Sequence, residues 1–221
     1  MSPGPTFPSN SQHVAAAGMN GSGKTWAMLD MLSWHFVNDP KFPWIVIDHK
    51  RDSSLKKLPA EKLKPNTLLL PRHGLHLVQP KLGGADRDDL EDLLTRIFKH
   101  GKIGVYVDEG HLMGFSQMIR NILVAGRDRK VPLMWTSQKA NWIDPFIWSQ
   151  SKFYRVFTLQ TAKDVKAVQD NWPVKFRMPA PFHSWYYDGT KNSTHYLAPS
   201  GKLSETIDRL DGVLQHEYTM I

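Results

Sequence analysis

Short apolar runs alternate along this chain with longer segments of helical periodicity. Buried strands are predicted for the apolar runs at residues 13–17, 44–48, 103–108, 131–136 and 152–159. Helices are predicted where apolar residues recur with a period near 3.6, at residues 24–37, 86–100, 116–125 and 161–171. A closing amphipathic helix carries Leu203, Ile207, Leu210 and Leu214.

The segment at residues 49–85 has a weaker pattern and contains two short strand candidates, 67–70 and 75–78. Near the end, the turn sequence DGTKN at 188–192 separates strand candidates 185–187 and 194–197, which predicts a hairpin. Strands that alternate with helices favour an α/β fold with a mostly parallel sheet and helices on both faces.

The chain of 221 residues suits one domain. Residues 1–11, rich in Ser, Pro, Gly and Asn, predict a flexible arm. Residues 12–221 then form a single domain, in which 160–221 is a less assignable appendage with the hairpin and the closing helix.

Composition narrows the classes of function. The chain has no cysteine, which excludes disulfides and thiolate metal sites. The N-terminus lacks the apolar core of a signal peptide, and no stretch approaches the ~20 apolar residues of a membrane span. We therefore expect a soluble protein. Its formal charge of +7 is compatible with an anionic partner or with a merely solvated basic surface.

The sequence GMNGSGKT at residues 18–25 matches the phosphate-binding pattern G-x-x-x-x-G-K-[ST] and lies between a predicted strand and a predicted helix. Its glycines allow backbone N–H groups to surround phosphate, Lys24 reaches the β- and γ-phosphates, and the Thr25 hydroxyl ligates Mg²⁺. We predict ATP and Mg²⁺ as ligands, with nucleotide contacts at Gly18, Asn20, Gly21, Ser22, Gly23, Lys24, Thr25 and Trp26.

Two acids follow the strand at 103–108. Asp108 at its end can hold Mg²⁺ beside the phosphates, and Glu109 can orient and deprotonate the attacking water. In isolation such acids are often only solvated, but their occurrence together with the phosphate loop predicts hydrolysis.

Further candidates flank the strand at 131–136. Gln138 could contact the γ-phosphate or the water, or be an ordinary loop residue. Arg127 or Arg129, in the predicted turn GRDRK, could enter a neighbouring site and stabilise transition-state charge, or be solvated.

Core positions are predicted for Trp26, Trp34, Trp44 and Trp135. Less regular positions, open to an interface role, are predicted for Trp142, Trp148, Trp172 and Trp185. The histidines show no metal-ligand spacing.

The ordered set of motifs resembles the FtsK–HerA superfamily of P-loop ATPases. Within it, the chain resembles the genome-packaging ATPases of membrane-containing icosahedral, tectivirus-like viruses. The resemblance covers residues 13–160 and rests on GMNGSGKT, WIVIDHKRD at 44–52, IGVYVDE at 103–109, GRDRK at 126–130 and VPLMWTSQ at 131–138.

The resemblance implies a RecA-like core in a homo-oligomeric ring, a hexamer, with ATP between subunits and double-stranded DNA through the centre. It implies that Gln138 is the sensor and that an arginine, Arg127 or Arg129, acts in trans. It also implies capsid vertex proteins as partners, with work in the host cytoplasm during assembly and retention at a virion vertex. Cationic candidates for DNA contact, or simple surface charges, are Lys50, Arg51, Lys56, Lys57, Lys130 and Lys139.

Other functions stay open at this point. The ATPase could drive plasmid DNA transfer or filamentous-phage export, although such relatives usually carry a membrane segment or a larger extra domain. A nucleotide-switched assembly protein that does not pump DNA is an alternative from another class. A P-loop kinase is a more distant one.

Overall fold

The computed structural model describes residues 4–81 and 84–219. The strands of this part are β1 Val14–Ala17, β2 Trp44–Asp48, β3 Glu61–Leu63, β4 Leu75–Val78, β5 Gly104–Asp108, β6 Leu133–Ser137, β7 Phe153–Val156, β8 Ser184–Asp188 and β9 Ser193–Leu197. The α-helices are α1 Lys24–Asn38, α2 Arg87–His100, α3 Gln117–Arg129, α4 Pro145–Gln150, α5 Ala162–Gln169 and α6 Leu203–Thr219.

All these strands form one nine-stranded sheet in the order β3-β4-β2-β5-β6-β1-β7-β8-β9. The pairs from β3 to β7 are parallel, and β8 and β9 add antiparallel strands at one side. The predicted α/β fold with a mostly parallel sheet is confirmed.

Two apolar layers cover the two faces of the sheet, because successive strand residues point to opposite sides. Val46 packs in the layer under α1 and α6, whereas Ile47 packs in the layer under α2, α3, α4 and α5. Helices on both faces explain why the central strands are apolar at nearly every position.

The C-terminal hairpin is continuous with the sheet. β8 pairs with β7, and the rings of Tyr154 and Tyr187 stack across this pair with centroids 5.4 Å apart. Arg155 of β7 is buried and donates hydrogen bonds to the Ala27 carbonyl of α1, at 3.2 Å, and to Ser184 Oγ of β8, at 3.1 Å. One buried side chain therefore ties the hairpin to the helix that follows the phosphate loop.

The N-terminal segment also contacts this region. The ring of Phe7 packs edge-on against the rings of Trp34 and Tyr186, at 5.5 and 6.0 Å between centroids. Tyr186 donates a hydrogen bond to the Thr6 carbonyl at 2.8 Å. The predicted arm is thus anchored at its apolar residue. In the described ranges, no helix combines the length and apolar character needed to cross a membrane.

Several predicted elements were wrong. Residues 67–70 are not a strand, and Leu68 and Leu69 are 79% and 85% exposed. The outer partner of β4 is instead β3, whose two exposed charged residues and single partly buried leucine give only a weak apolar signal. The helix α3 continues to Arg129 and includes most of the predicted GRDRK turn, while the short helix α4 was missed.

The tryptophan assignments also need correction. Trp26, predicted to lie in the core, is 44% exposed, because it lies on the open side of the first turn of α1. Trp148 and Trp172, assigned to less regular surfaces, are buried and belong to the apolar layer under α2 and α3. Whether each tryptophan side chain is buried depends on which face of its segment meets the sheet. Hydrophobic periodicity alone did not determine that face.

Candidate active site

The predicted catalytic motifs meet at the carboxyl edge of three neighbouring strands. The phosphate loop follows β1, Asp108 ends β5, and Gln138 follows β6, which lies between β1 and β5. In open α/β sheets, ligands bind at the carboxyl ends of the strands, at the point where the strand order reverses.

Backbone hydrogen bonds anchor the start of the phosphate loop. The Gly18 N–H donates to the Ser137 carbonyl at 3.2 Å, and the Met19 N–H donates to the Thr158 carbonyl at 2.8 Å. A Cβ on Gly18 would lie 2.6 Å from Phe157 Cβ, so only glycine fits there. Gly21 and Gly23 have φ of 73° and 93°, a left-handed conformation that glycine adopts without strain.

The loop borders a cavity of about 240 Å³, which is also lined by residues after β2 and by Phe182. Ser22 Oγ is buried and has no hydrogen-bond partner among the described residues. The N-terminus of α1 lies at this loop, so the positive end of the helix dipole points at any anion bound there. A glycine-rich loop at a helix N-terminus, a lysine and a hydroxyl without a described partner fit a polyphosphate.

A buried ion pair crosses the site. Lys24 Nζ lies 3.4 Å from Glu109 Oε1. The other oxygen, Oε2, accepts a hydrogen bond from the Gln138 backbone N–H at 2.9 Å and lies 3.5 Å from His111 Nδ1. Glu109 adopts a left-handed backbone with φ of 52°, which is uncommon for a non-glycine residue and typical of functional sites. This geometry turns the carboxylate towards the loop.

The neighbouring acid, Asp108, is held by hydroxyl groups. Its Oδ1 accepts hydrogen bonds from Tyr106 at 2.7 Å and Thr136 at 2.9 Å, and it lies 3.5 Å from Thr25 Oγ1. Burial raises the pKa of Asp108 to about 6 and outweighs the hydrogen bonds, which lower it. Burial also raises the pKa of Tyr106 well above its usual value, so its hydroxyl stays protonated and donates.

These oxygens fit a magnesium site. Mg²⁺ prefers oxygen ligands and retains several waters, so a protein need supply only one or two groups. Thr25 Oγ1 and Asp108 Oδ1 are oxygens of the suitable kind on adjacent elements. A cation there would also offset the cost of ionising a buried carboxylate.

His111 joins the site although sequence reasoning missed it. Its Nδ1 lies 3.3 Å from Ser137 Oγ, and its ring contacts the Trp142 ring with centroids 4.6 Å apart. Lys139 Nζ in turn lies 4.5 Å from the centroid of that Trp142 ring. A continuous set of contacts therefore runs from Glu109 to a partly exposed cationic and aromatic surface.

The predicted trans-acting arginines lie away from this site. Arg127 and Arg129 occupy the exposed last turn of α3, at the amino-terminal edge of the sheet. Arg127 is close enough to His13, just before β1, for its charge to add to the effect of burial, and together they lower the pKa of His13 to about 4. Within one chain, neither arginine is part of the phosphate cavity.

The predicted DNA-contacting cations separate into different places. Lys50 lines the phosphate cavity and donates a hydrogen bond to Asn20 Oδ1 of the loop at 3.3 Å. Arg51, Lys56 and Lys57 are exposed in the segment that follows β2. Lys139 lies at the carboxyl edge and Lys130 caps α3 at the opposite edge.

Among the predicted nucleotide contacts, Trp26 lies at the cavity and donates its indole N–H to Ser54 Oγ at 3.3 Å. The residues that sequence reasoning missed are Tyr106, His111, Thr136 and Phe182. Signals existed for Thr136 and His111, which lie within two residues of Gln138 and Glu109. Tyr106 reads as an ordinary strand residue, and Phe182 lies far from every motif.

Comparison with known proteins gives a consistent picture. No protein-family model matches the chain. The DNA packaging ATPase P9 of Enterobacteria phage PRD1 is 29% identical over 219 residues, which cover 93% of this chain and 94% of P9. The chain is homologous to P9, which confirms the resemblance to viral genome-packaging ATPases.

Solved structures confirm the fold. The genome packaging NTPase B204 of Sulfolobus turreted icosahedral virus 2, in complex with ATP-gammaS, superposes with a TM-score of 0.69 at 16% identity, covering 87% of this chain and 99% of B204. ATPases 2 and 3 of EssC from Geobacillus thermodenitrificans give a TM-score of 0.59 at 13% identity, covering 93% of this chain and 45% of the EssC chain.

Proposed function

We propose that this chain is a viral genome-packaging ATPase that couples ATP hydrolysis to movement of double-stranded DNA. The observation that carries the proposal is the meeting of Lys24, Asp108 and Glu109 at one edge of the sheet. Homology to P9 over nearly the whole of both chains supports packaging as the purpose of hydrolysis.

Each group has a chemical task in hydrolysis. The loop at residues 18–25 binds the phosphates through its N–H groups, and Lys24 places positive charge beside them. Thr25 and Asp108 would hold Mg²⁺, which neutralises phosphate charge when bound. Glu109 orients a water and accepts its proton, and the backbone N–H of Gln138 fixes the carboxylate for this task. We propose that the Gln138 side chain contacts the γ-phosphate or this water.

Among the described residues of one chain, no arginine lines the phosphate cavity. We propose that Arg127 or Arg129 of an adjacent subunit supplies that charge in a homo-oligomeric ring, a hexamer. Both are exposed on the far edge of the sheet, which is compatible with a head-to-tail arrangement of subunits. Such an arrangement would make hydrolysis depend on the neighbour.

DNA contact should rely on phosphates rather than bases, because packaging must proceed through any sequence. Arg51 and Lys139, which follow β2 and β6, lie at the edge of the sheet that carries the catalytic groups, and Arg51, Lys56 and Lys57 are exposed in the segment after β2. We propose that these side chains face the DNA, whereas Lys50, which contacts the phosphate loop, serves the nucleotide. Capsid vertex proteins would then fix the ring to the virion during assembly.

The deciding experiment measures ATP turnover with and without duplex DNA, together with displacement of streptavidin from biotinylated duplex ends. We expect DNA to stimulate turnover and streptavidin to be displaced only with hydrolysable ATP. Glu109→Gln serves as the inactive control. Turnover with no DNA stimulation and no displacement would favour the assembly switch, and a phosphorylated small product would favour a kinase.

A further inference from the structure

Phe182 is an aromatic residue at the mouth of the phosphate cavity that no predicted motif contains. It lies in the turn before β8, lines the cavity together with Trp26, Ser54 and the phosphate loop, and is 57% exposed. Its Cδ1 is 3.7 Å from the position that a Cβ would take on Gly23. A large apolar ring is therefore held in solvent directly beside the loop.

The backbone at this position is strained. Phe182 has φ of 62°, a left-handed conformation that is rare for bulky residues. Such strain persists only where the surrounding structure imposes it, and it occurs mainly at ligand-binding sites. If the exposed ring made no contact at all, no favourable interaction would offset the cost of this backbone conformation.

Residues on both sides of Phe182 hold it in place. The Ala180 N–H donates to the Tyr196 hydroxyl of β9 at 2.9 Å, and the His183 N–H donates to the Ala180 carbonyl at 3.0 Å. The His183 ring stacks on the Tyr196 ring with centroids 5.3 Å apart and an interplanar angle of 15°. The hairpin β8–β9 therefore holds the backbone of the turn that carries Phe182 beside the phosphate cavity.

We infer that the Phe182 ring stacks on the purine base of the bound nucleoside triphosphate, an inference that rests on the proposed ATP site. The loop and Lys24 account for the phosphates, which leaves the base to emerge at the mouth of the cavity. Trp26 also lines the cavity, where its indole N–H donates a hydrogen bond to Ser54 Oγ. An aromatic face binds any base by stacking and does not read its hydrogen-bonding edge. The site should therefore discriminate weakly between ATP and GTP through this residue.

The test compares binding of ATP and of inorganic tripolyphosphate, each with Mg²⁺, to the wild-type chain and to Phe182→Ala. Alanine keeps a Cβ and hence the same backbone strain, so the comparison reports the ring alone. We expect Phe182→Ala to weaken ATP binding about tenfold, as loss of base stacking does. Tripolyphosphate binding should be unchanged, because it has no base.

Two controls sharpen the comparison. Phe182→Trp keeps an aromatic face and should retain ATP affinity. Phe115→Ala removes an equally exposed phenylalanine that lies outside the phosphate cavity, and it should bind both ligands as the wild type does.

The outcomes are distinct. ATP binding unchanged in Phe182→Ala, or ATP and tripolyphosphate weakened equally, would overturn the stacking inference and leave the ATPase proposal intact. Loss of self-association in Phe182→Ala with unchanged ATP affinity would overturn it too, by assigning the ring to a subunit contact. A wild-type chain that binds neither ligand would overturn both proposals.

Discussion

Lys24 Nζ lies 3.4 Å from Glu109 Oε1, so the lysine proposed to bind phosphate is paired with the proposed catalytic base. Both side chains are buried, and neither charge could remain there alone at low cost. A bound phosphate competes with Glu109 for Lys24. Nucleotide binding should therefore release the carboxylate to orient water, which links occupancy of the site to the activity of its base.

The pairing makes Lys24→Ala both a functional and a stability mutation. ATP binding should weaken about tenfold to a hundredfold, because a charge-assisted contact is lost. Without nucleotide, the variant should also lose about 3–5 kcal/mol of unfolding free energy, because Glu109 is left without its counter-charge. Equilibrium ATP binding and chemical denaturation at neutral pH measure these effects.

Two further variants separate the causes in Lys24→Ala. Lys166→Ala removes an exposed lysine paired with Asp170 on α5 and should change neither quantity appreciably. The double variant Lys24→Ala/Glu109→Gln should regain part of the lost stability, since the unpaired charge is gone. Full additivity of the two substitutions would contradict a direct ion pair.

Glu109→Gln should bind ATP and fail to hydrolyse it. The amide keeps the size of the side chain but cannot accept a proton, so turnover should fall by about 10²–10⁴-fold. Phosphate release measured at saturating ATP, beside an equilibrium binding curve, checks this. Normal turnover in this variant would show that another group is the base.

Asp108→Asn should stabilise the protein at neutral pH when Mg²⁺ and nucleotide are absent. The pKa of Asp108 is about 6 in the folded protein against an ordinary value of 3.8. Since the folded state binds this proton more tightly, the residue's contribution to stability is complete below about pH 4 and is lost as pH rises through about 6. The gain from Asn at pH 7.5 should be roughly 3 kcal/mol, which corresponds to a shift of about two pKa units.

Thermal unfolding at pH 4 and pH 7.5 measures the Asp108→Asn effect, with the gain expected to vanish at the lower pH. Asp128→Asn, which alters an exposed carboxylate of α3, is the matched control. An equal gain at both values of pH would show that the buried charge is not its source. In the presence of Mg²⁺-ATP the same variant should lose turnover, because the neutral amide lacks the negative charge that would hold the metal.

Mixed rings test the trans-acting arginine. If Arg127 enters the neighbouring site, Arg127→Ala subunits mixed with wild type should lower turnover more steeply than their fraction, because each one disables an intact neighbour. Arg129→Ala, at the last residue of the same helix, is the companion variant. Turnover that falls only in proportion to the mutant fraction for both would contradict a finger in trans.

Much of the fold was predictable because most strands and helices carried a local signal. The β1–loop–α1 unit combines an apolar run, a glycine pattern and an apolar helix, and it appears where predicted. β3 was missed because a strand with the sequence EKL at the rim of the sheet buries almost nothing. Leu68 and Leu69 caused the opposite error, a strand predicted where there is none. A run of apolar residues in a loop has the same sequence pattern as a short buried strand.

In the candidate site, too, the sequence predicted the residues that lie in local motifs and missed others whose role depends on contacts in the folded protein. Lys24, Asp108 and Glu109 lie in motifs whose spacing reflects their chemistry. Tyr106 could not be singled out, because it reads as an ordinary strand residue. Thr136 lies near Gln138 in the chain, but its contact with Asp108 exists only because β5 and β6 lie side by side. Gln138 was predicted for its side chain, whereas the described contact with Glu109 is made by its backbone N–H.

The sequence by itself determined the phosphate loop, the acids at the end of β5 and the alternating α/β pattern, because glycine conformations, charge and hydrophobic period are properties of neighbouring residues. Only the tertiary structure decided that Glu109 pairs with Lys24, that Arg127 and Arg129 lie at the far edge, and that Phe182 stands at the cavity mouth. These relationships join residues far apart in the chain, and they depend on strand order and on which face each helix covers.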